Sequence, residues 1–562
     1  MNKVNLSEIR DILLSCEKPS RYTGGEYGLP AAKEGEINFC MCFPDLYEVG
    51  MSNLGIKIVA KSFTQRGYCA DFCFAPAKDF GKKIKERGFP LYSLSLKAPL
   101  KEFDIVGFSL QYELCYTNVL YMLDLAGIPL RREDRKGKGY PLIIAGGPCA
   151  ANPEPLADFI DVFFIGDGET CDADAAEIYK KLGDTEEFYR EISKIDGVYC
   201  PCLTDVIYGE DGKIKSFEGI KKVKRALIDD LDGAIFPEQI AVPNCESVHD
   251  RAVIEVMRGC YRGCRFCQAG FIYRPVRKRS VQTLTRQASA LIKNTGYDEV
   301  SLNSLSTGDY GKLKELLFSL KKELPPEVTL ALPSLRVDSF EGEFAQEARR
   351  ISLTFAPEAG TQRLRDVINK DITEEEILHA AESAFNAGYS AVKLYFMLGL
   401  PTETDEDLKG IADLCVKIRK LYGKQKRAKQ LRISISVATF IPKPFTPFQW
   451  EKQATEEEVE QKQQFLRSVL PNGVKFSWNS YYPSLLEAAF ARGDRPLGKV
   501  LEAAYKNGCV FDGWDSELDG EKWKDAFNSC GISPCEYSRG RDEDEILPWD
   551  FIDMYIEKKL LL

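Results

Sequence analysis

Three cysteines lie close together near the middle of this 562-residue chain. In the segment RGCYRGCRFCQAG, Cys260, Cys264 and Cys267 have the spacing C-x3-C-x2-C, and Phe266 directly precedes the last of them. Three thiolates can hold three irons of a [4Fe-4S] cluster and leave the fourth iron open to bind another molecule. The spacing therefore predicts an iron-sulfur site with one open coordination position, carried on a single loop.

A structural zinc site is the main alternative for these cysteines. Such a site needs four ligands in a closed tetrahedron, usually from two separated pairs of Cys or His. The nearest further candidates are Cys245 and His249 upstream and Cys415 far downstream. Because no second pair lies close by, the spacing favours an iron-sulfur cluster over zinc and over a chance group of buried thiols.

The composition indicates a large globular enzyme. Apolar residues make up 44% of the chain and charged residues 28%, which excludes a disordered protein, and about 150 residues per domain predicts three or four domains. The net charge of -10 argues against a broadly basic nucleic-acid-binding surface. The sequence shows neither the apolar core of a signal peptide nor a membrane-spanning run, so we expect a cytoplasmic protein with reduced cysteines.

Several familiar catalytic classes lack their residues here. The chain has two histidines, His249 and His379, and neither lies in a nucleophile motif. This argues against Ser-His-Asp and Cys-His enzymes. The chain also lacks a G-x-x-x-x-G-K-[ST] phosphate loop and a G-x-G-x-x-G dinucleotide fingerprint.

From about residue 250 to 438, short apolar runs alternate with helical segments, which is typical of parallel strands joined by crossover helices. The predicted strands are 252–257, 299–304, 328–333, 352–357, 391–397 and 432–438. Six such strands predict a partial (β/α)6 barrel that is open on one side. Chemistry in such barrels lies at the carboxyl ends of the strands, and the cysteine loop follows the first strand there.

The cysteine motif, with its aromatic residue and adjacent glycines, resembles that of the radical S-adenosylmethionine (SAM) superfamily. The resemblance implies that the open iron chelates the methionyl amino and carboxylate groups and delivers one electron, which cleaves SAM to a 5'-deoxyadenosyl radical. It also implies an external one-electron donor of the flavodoxin or ferredoxin type. The cofactor supplies the chemistry and the protein orients it.

Segments after the later predicted strands are similar to SAM-binding segments of that superfamily. After the second strand, Ser306, Gly308 and Asp309 resemble the glycine-rich segment that receives the methionyl amino group, and a helix N-cap is the alternative. After the fourth strand, Glu358 in APEAG resembles the glutamate that binds the ribose hydroxyls, with a capping role as the alternative.

The segments after the fifth and sixth strands resemble the adenine side of the same site. MLGLPTET, with Gly399 and Pro401, is similar to the turn of methylthiotransferase-like members whose backbone cradles adenine, and Ile441 lies in the corresponding exit segment FIPKP. Two cations in the predicted barrel, Arg336 and Lys393, are candidates for the methionyl carboxylate or for buried ion pairs. The basic run RPVRKR, residues 274–279, is either a solvated face or a contact for an anionic substrate or partner.

An upstream α/β unit has predicted strands at 37–44, 103–110, 140–148 and 161–169. This alternation predicts an open doubly wound sheet that binds a ligand at its strand ends. Asp45, Tyr47 and Gly50 have the D-x-H-x-x-G spacing of cobalamin-binding domains, with Tyr47 where a histidine would ligate cobalt.

Later residues of the unit extend this resemblance to cobalamin-binding domains. Ser109 is similar to the S-x-L segment of that fold, and Gly146 and Gly147 to its glycine pair near the nucleotide tail; simple turn chemistry is the alternative for the glycines. A phenol ligates cobalt poorly unless it ionises, so Tyr47 is not assigned as an axial ligand. Cobalamin is expected either with an unligated lower face or not at all, in which case the domain is a scaffold.

The predicted organisation is an extension (1–30), a cobalamin-binding-like Rossmann domain (31–180), a connector (181–245), the barrel (246–450) and a helical C-terminal cap (451–562). The connector contains a hairpin turned at 210–212, and its Cys200 and Cys202 are an alternative auxiliary metal site. All five tryptophans lie from Trp450 onward, where core packing is favoured over base stacking. RGDRPLG, FDGW and LPWD suggest a cap over the barrel mouth.

Stretches from FPDLYEVGMSNLG to LPWDFID make the whole chain resemble a family of radical SAM proteins with a cobalamin-binding-like domain. That resemblance implies the cofactors but not a substrate. In that family a small partner protein is often encoded next door, and neighbouring genes that concern RNA or ribosomes point to RNA or a ribosomal protein. The leading hypothesis is an enzyme that modifies an unactivated carbon, with methyl or one-carbon transfer through cobalamin. The alternatives are a methylthiotransferase-like enzyme, although no further three-cysteine motif precedes the barrel, and a non-catalytic iron-sulfur protein that binds RNA.

Overall fold

The computed structural model describes residues 1–28, 34–219, 222–333, 353–424 and 430–562. Its strands are β1 Asn38–Phe43, β2 Cys69–Phe74, β3 Ile105–Ser109, β4 Leu142–Gly146, β5 Val162–Phe164, β6 Val198–Tyr199, β7 Asp205–Tyr208, β8 Ile214–Glu218, β9 Val223–Lys224, β10 Ala252–Glu255, β11 Met257–Arg258, β12 Arg277–Lys278, β13 Glu299–Asn303, β14 Thr329–Ala331, β15 Leu353–Glu358, β16 Ala391–Leu398, β17 Arg432–Thr439, β18 Val474–Trp478 and β19 Ile552–Asp553.

The α-helices of the described residues connect these strands and form the C-terminal part. They are α1 Arg10–Ser15, α2 Ser20–Thr23, α3 Tyr47–Gly50, α4 Leu54–Gln65, α5 Lys78–Arg87, α6 Tyr116–Leu125, α7 Arg132–Arg135, α8 Gly168–Leu182, α9 Glu186–Ile192, α10 Ala269–Ile272, α11 Val281–Thr295, α12 Leu313–Glu323, α13 Gln362–Val367, α14 Glu374–Asn386, α15 Asp405–Gly423, α16 Glu456–Val469, α17 Tyr481–Arg492, α18 Leu497–Lys506, α19 Gly520–Cys530 and α20 Cys535–Ser538.

The N-terminal sheet has the order β2-β1-β3-β4-β5-β6. Its first five strands are parallel and β6 is antiparallel to β5. Helices cover both faces, so the strands are nearly continuous apolar runs, and the predicted doubly wound sheet is confirmed. The sequence analysis missed β2, whose run CADFCF is interrupted by Asp71. That buried carboxylate accepts hydrogen bonds from the backbone N–H groups of Ser95 and Leu96, which is why an acid is tolerated in the strand.

The central region contains two parallel sheets, ordered β10-β13-β14 and β15-β16-β17-β18. The six predicted strands coincide with β10, β13, β14, β15, β16 and β17 to within about two residues. Among the described residues the two sheets share no strand pair, so they form an open barrel. A seventh parallel strand, β18, pairs with β17. The sequence analysis expected helix there, because a five-residue strand beside a long helical pattern gives little signal.

Three helices cover the outer face of the four-stranded sheet. α14, α15 and α16 each begin at a threonine that forms a capping box, Thr373, Thr404 and Thr455. Alternate strand residues such as Val392 and Leu394 pack against these helices in one apolar core. The intervening residues therefore point to the inside of the open barrel.

The connector and the chain end are joined by short strands. β7 and β8 form the predicted antiparallel hairpin, and β19 pairs in parallel with β9. No helix within the described ranges is long and apolar enough to cross a membrane.

The C-terminal helices pack on the N-terminal sheet and share its core. Phe490 of α17 contacts Tyr116 of α6 with ring centroids 6.0 Å apart, and Trp523 of α19 lies 5.4 Å from the Phe490 ring. The RGDRPLG motif joins the same two parts, because Arg495 donates to Glu154 Oε2 at 3.0 Å and to Tyr199 Oη at 3.0 Å. This segment of the chain is therefore a layer on the sheet, where the sequence suggested a cap over the barrel mouth.

Two tryptophans of this layer give a test of the shared core. Trp523 is 1% exposed and Trp514 is 40% exposed. We expect Trp523→Ala to lower the free energy of unfolding by about 3–5 kcal/mol because it opens a cavity, and Trp514→Ala to lower it by about 1 kcal/mol or less. Chemical denaturation of both variants measures the difference. Equal losses would show that Trp523 is not part of a packed interface.

Candidate functional site

The three cysteines lie on one loop between β11 and α10. The N–H of Cys267 donates to the carbonyl of Cys264 at 3.1 Å, and the N–H of Gly270 donates to the carbonyl of Cys267 at 3.1 Å. Burial raises the pKa of the Cys267 thiol, and the neighbouring Cys264 and Cys260 thiolates raise it further. The thiols are thus close enough to repel one another when ionised, and iron cations would remove that repulsion, so this loop fits an iron-sulfur cluster.

A single metal ion fits the described residues less well. In them, no three His, Cys, Asp or Glu side chains converge on one point where an ion could be held. Each cysteine of a [4Fe-4S] cluster binds a different iron, so such convergence is not required there, whereas zinc requires it. The same finding gives no support for a metal at Cys200 and Cys202.

Arg262 connects the cysteine loop to the turn after β13. Arg262 donates to Asp309 through two nitrogens, at 3.0 and 2.8 Å, and Ser306 Oγ donates to the same carboxylate at 2.7 Å. Gly308 lies within this turn. The structure therefore brings Ser306, Gly308 and Asp309 beside the cluster loop, through a bidentate charged contact that is stronger than a neutral hydrogen bond.

The segment after β15 holds the opposite side of the loop. Asn369 Nδ2 donates to the carbonyl of Gly263 at 2.8 Å. Glu358, with a left-handed φ of 67°, pairs with Lys370 at 3.0 Å. The Lys370 ammonium lies 5.8 Å from the centroid of the Phe266 ring. Glu358 is thereby linked to the cysteine loop, where a strained backbone is typical of functional sites.

An apolar cluster joins the cysteine loop to both predicted adenine segments. Phe266 and Met397 pack against Ala359, Leu400 and Phe440, which come from three strand ends. Ile441 follows Phe440 directly and is half-buried. Three of the four segments that sequence similarity singled out therefore meet around the aromatic residue of the cysteine motif. The fourth, after β13, contacts the loop through Arg262.

The GLPTET turn is held by a buried carboxylate that the sequence analysis did not single out. Gly399 has φ 78°, and its N–H donates to Glu403 Oε2 at 2.9 Å. Glu403 pairs with Lys462 of α16 at 2.8 Å. A Cβ on Gly399 would meet the Ala454 Cβ at 2.8 Å, so glycine is required at position 399. Arg336, the remaining predicted residue of the barrel, lies outside the described residues.

A cavity of about 390 Å³ separates the N-terminal sheet from the barrel strand that leads to the cysteines. Ser109, Gly146 and Gly147 line it from the sheet, and Arg258 and Gly259 line it from the segment directly before Cys260. Three of the six predicted residues of the N-terminal unit thus belong to one cavity, and this cavity adjoins the cluster loop.

The other three, Asp45, Tyr47 and Gly50, do not line this cavity. The Tyr47 hydroxyl donates to Glu26 Oε1 at 2.9 Å, and burial and Glu26 raise its pKa far above the ordinary range. Asp45 Oδ1 accepts the indole N–H of Trp514 at 3.0 Å. A phenol that keeps its proton is a poor cobalt ligand, so Tyr47 is not expected to bind cobalt.

An ion network that the sequence analysis missed connects the two halves beside the cavity. Arg258 donates to Asp167 at 2.8 Å, to Glu169 at 3.0 Å and to Glu255 at 3.0 Å. Burial alone would raise the pKa of Asp167, but Arg258 and Arg277 hold it below its ordinary value. The signal in the sequence was the pair of acids in GDGE after a buried strand.

The basic run 274–279 has an internal role, in contrast to both sequence interpretations. Arg277 is buried and pairs with Asp167. Arg279 is buried and pairs with Glu255 at 3.1 Å. Lys278 Nζ donates to the Tyr310 carbonyl at 2.8 Å. The two buried arginines hold the cysteine loop between the two halves, so these two positions of the run are not part of a solvated face.

Comparisons with known proteins agree with this architecture. A family model of the N-terminal region of radical SAM proteins matches residues 55–201, and the model of the radical SAM superfamily matches residues 254–415. The uncharacterized protein MJ0966 of Methanocaldococcus jannaschii is 30% identical over 499 residues, which cover 88% of this chain and 97% of that protein.

One further relative and one solved structure with a similar fold have described activities. The tRNA-2-methylthio-N(6)-dimethylallyladenosine synthase of Thermotoga petrophila is 24% identical over 71% of this chain and 90% of its own. The structure of the radical SAM methyltransferase TsrM from Kitasatospora setae, with cobalamin and a [4Fe-4S] cluster bound, superposes with a TM-score of 0.51 at 11% identity. It covers 87% of this chain and 99% of TsrM.

Loop geometry, fold and family models together define the class, and the chain belongs to the radical SAM superfamily. It is an enzyme whose family uses a [4Fe-4S] cluster and SAM.

The cysteine loop gives a direct test of the ligand assignment. We expect Cys264→Ala to lose the cluster after anaerobic reconstitution, since an iron loses its thiolate, while wild type retains about four irons per chain. Cys535→Ala is the matched control, because Cys535 is an exposed thiol far from the motif in sequence. Iron and acid-labile sulfide analysis reports the outcome, and a normal iron content in Cys264→Ala would contradict the assignment.

Proposed function

We propose that this radical SAM enzyme transfers a methyl or other one-carbon group to an unactivated carbon, with cobalamin held between the N-terminal sheet and the barrel. One observation carries the proposal: the 390 Å³ cavity is lined both by the strand ends of the sheet and by Arg258 and Gly259, which directly precede Cys260. A group bound there would lie next to the cysteine loop. The fold shared with TsrM, a methyltransferase that binds cobalamin and a cluster together, supports this reading.

The cavity lining suits a large planar cofactor. Gly146 lies on its sheet side. A Cβ there would meet no atom closer than 3.4 Å, so this residue without a side chain lets a flat ligand approach the backbone. Asn53 caps α4 at the cavity rim by accepting the N–H of Ile56 at 3.1 Å. Among the residues that the structure describes, none of those lining the cavity is a histidine. Cobalamin would therefore be held without a protein imidazole on its cobalt.

The remaining residues prepare the SAM site. When bound, the cluster and SAM supply the 5'-deoxyadenosyl radical. Cys260, Cys264 and Cys267 would hold the irons, and the apolar cluster around Phe266 and Leu400 would exclude water from the adenine side. Asp309 is positioned by Arg262, and Glu358 by Lys370. These contacts fix two carboxylates beside the loop, as our assignment of methionyl and ribose contacts requires.

Methylthio transfer is the second candidate, favoured by the GLPTET turn and by the relative that acts on tRNA. The upstream cysteines argue against a second cluster for that chemistry. Cys40, Cys42 and Cys73 lie in β1 and β2 and are buried, and burial raises the pKa of Cys40 to about 12. Protonated core thiols are poor iron ligands, so one-carbon transfer is the better explanation.

SAM cleavage tests the catalytic part of the proposal. Reconstituted wild-type protein with dithionite and SAM is expected to form 5'-deoxyadenosine, because the open iron is reducible and the SAM segments surround it. Liquid chromatography with mass spectrometry measures the product, and Cys535→Ala serves as the control variant. An intact cluster that yields no 5'-deoxyadenosine would refute the catalytic claim.

A cavity-filling variant tests cobalamin binding. A Cβ on Gly146 would come no closer than 3.4 Å to another atom, the Phe164 carbonyl oxygen, so Gly146→Leu adds its side chain beside the cavity at little backbone cost. We expect this variant to lose at least about tenfold in cobalamin affinity through steric exclusion. Gly423→Leu is the control, since nothing lies within 4 Å of its Cβ position. Visible spectra during titration with hydroxocobalamin measure binding, and equal affinities would place cobalamin elsewhere.

A further inference from the structure

The inner face of the four-stranded sheet carries cations and hydroxyl groups in register. Thr354, Lys393, Ser434 and Lys475 are direct partners across β15, β16, β17 and β18. Two residues further along, Tyr395, Ser436 and Ser477 form the next row. We call the residues of these two rows the inner wall. It exists in this form because β18, the strand that the sequence analysis did not predict, adds Lys475 to it.

The cations of the inner wall are available to a ligand. Lys393 lies over the Tyr395 ring at 4.7 Å from its centroid, and neither Lys393 nor Lys475 forms an ion pair within the part of the chain that the structure describes. Lys475 is exposed, and Tyr395 is 37% exposed although it lies in the middle of a strand. In a protein with net charge -10, two cations free of carboxylate partners on one wall favour a negatively charged ligand.

The inner wall lies next to the cysteine loop. Met397 follows Tyr395 by two residues on the same face of β16, and Met397 packs in the apolar cluster that includes Phe266. Two residues along a strand span about 6.6 Å. A ligand on Tyr395 would therefore lie next to Met397, which packs beside Phe266 of the cysteine loop.

We infer that the inner wall binds a single-stranded segment of RNA, with a base on Tyr395 and phosphates on Lys393 and Lys475. Lys393 and Lys475 are two strands apart, about 9.6 Å between their backbones, so one short segment can reach both. Lysines and hydroxyls are typical phosphate contacts, and an exposed aromatic ring stacks a base of any sequence. The inference rests on the proposed function and names the substrate class for it.

Binding of a fluorescein-labelled oligouridylate of about 12 nucleotides to the reconstituted full chain tests the inference by fluorescence anisotropy. We expect Lys393→Gln and Lys475→Gln each to lower the slope of log affinity against log salt by about 0.7, the value for one phosphate contact of a single strand. Tyr395→Ala should weaken binding about five- to a hundredfold, and Tyr395→Phe should restore it because the ring is kept.

Lys409→Gln is the matched control, since Lys409 is exposed on α15 outside the barrel, and it should leave both slope and affinity unchanged. No binding by wild type, or equal effects of Lys409→Gln and Lys393→Gln, would overturn the inference. So would displacement of the RNA by an equal concentration of polyglutamate, which would point to an acidic protein instead.

The same wild-type preparation is assayed for 5'-deoxyadenosine. Cleavage without RNA binding would leave the proposed function standing and reject only the inner wall as an RNA site. RNA binding without cleavage would reject the proposed function and keep the site.

Discussion

The contact of Arg258 with Asp167, Glu169 and Glu255 is the interaction on which the site depends. One guanidinium joins Asp167 and Glu169, which follow β5 of the N-terminal sheet, to Glu255, the last residue of barrel strand β10. Buried charges of this kind are costly unless each has a partner, and removal of one partner typically costs about 3–5 kcal/mol. Arg277 and Arg279 complete the network by pairing with Asp167 and Glu255. These two arginines of the basic run are therefore buried in ion pairs.

This network explains why a cavity and a cysteine loop lie side by side. The N-terminal sheet ends at Ser109 and Gly146, the barrel begins at β10, and the ion pairs hold these two edges across the cavity. On the other side of the loop, Arg262 and Lys370 connect it to Asp309 and Glu358. The cysteine loop is thus fixed from three directions, which suits a cluster that must keep one iron open at a constant position.

Much of the fold was predictable because it depends on local patterns. Strands β10, β13, β15, β16 and β17 are apolar runs separated by amphipathic helices, and short-range periodicity is sufficient to find them. β18 was missed because its five residues follow a long helix and gain their stability from pairing with β17. β2 was missed because Asp71 breaks its apolar run, and only the loop that donates to this carboxylate makes the acid acceptable.

The sequence by itself predicted the starting chemistry, because the spacing of Cys260, Cys264 and Cys267 along the chain is the whole signal for a loop that holds an iron-sulfur cluster. It also determined that Tyr47 would not serve as an imidazole does. Only the tertiary structure decided which charged residues pair: Arg258 with the acids of GDGE, and Glu403 with Lys462. The partners in these pairs are distant along the chain. Electrostatic and packing partners of that kind are chosen by three-dimensional proximity, which no local pattern encodes.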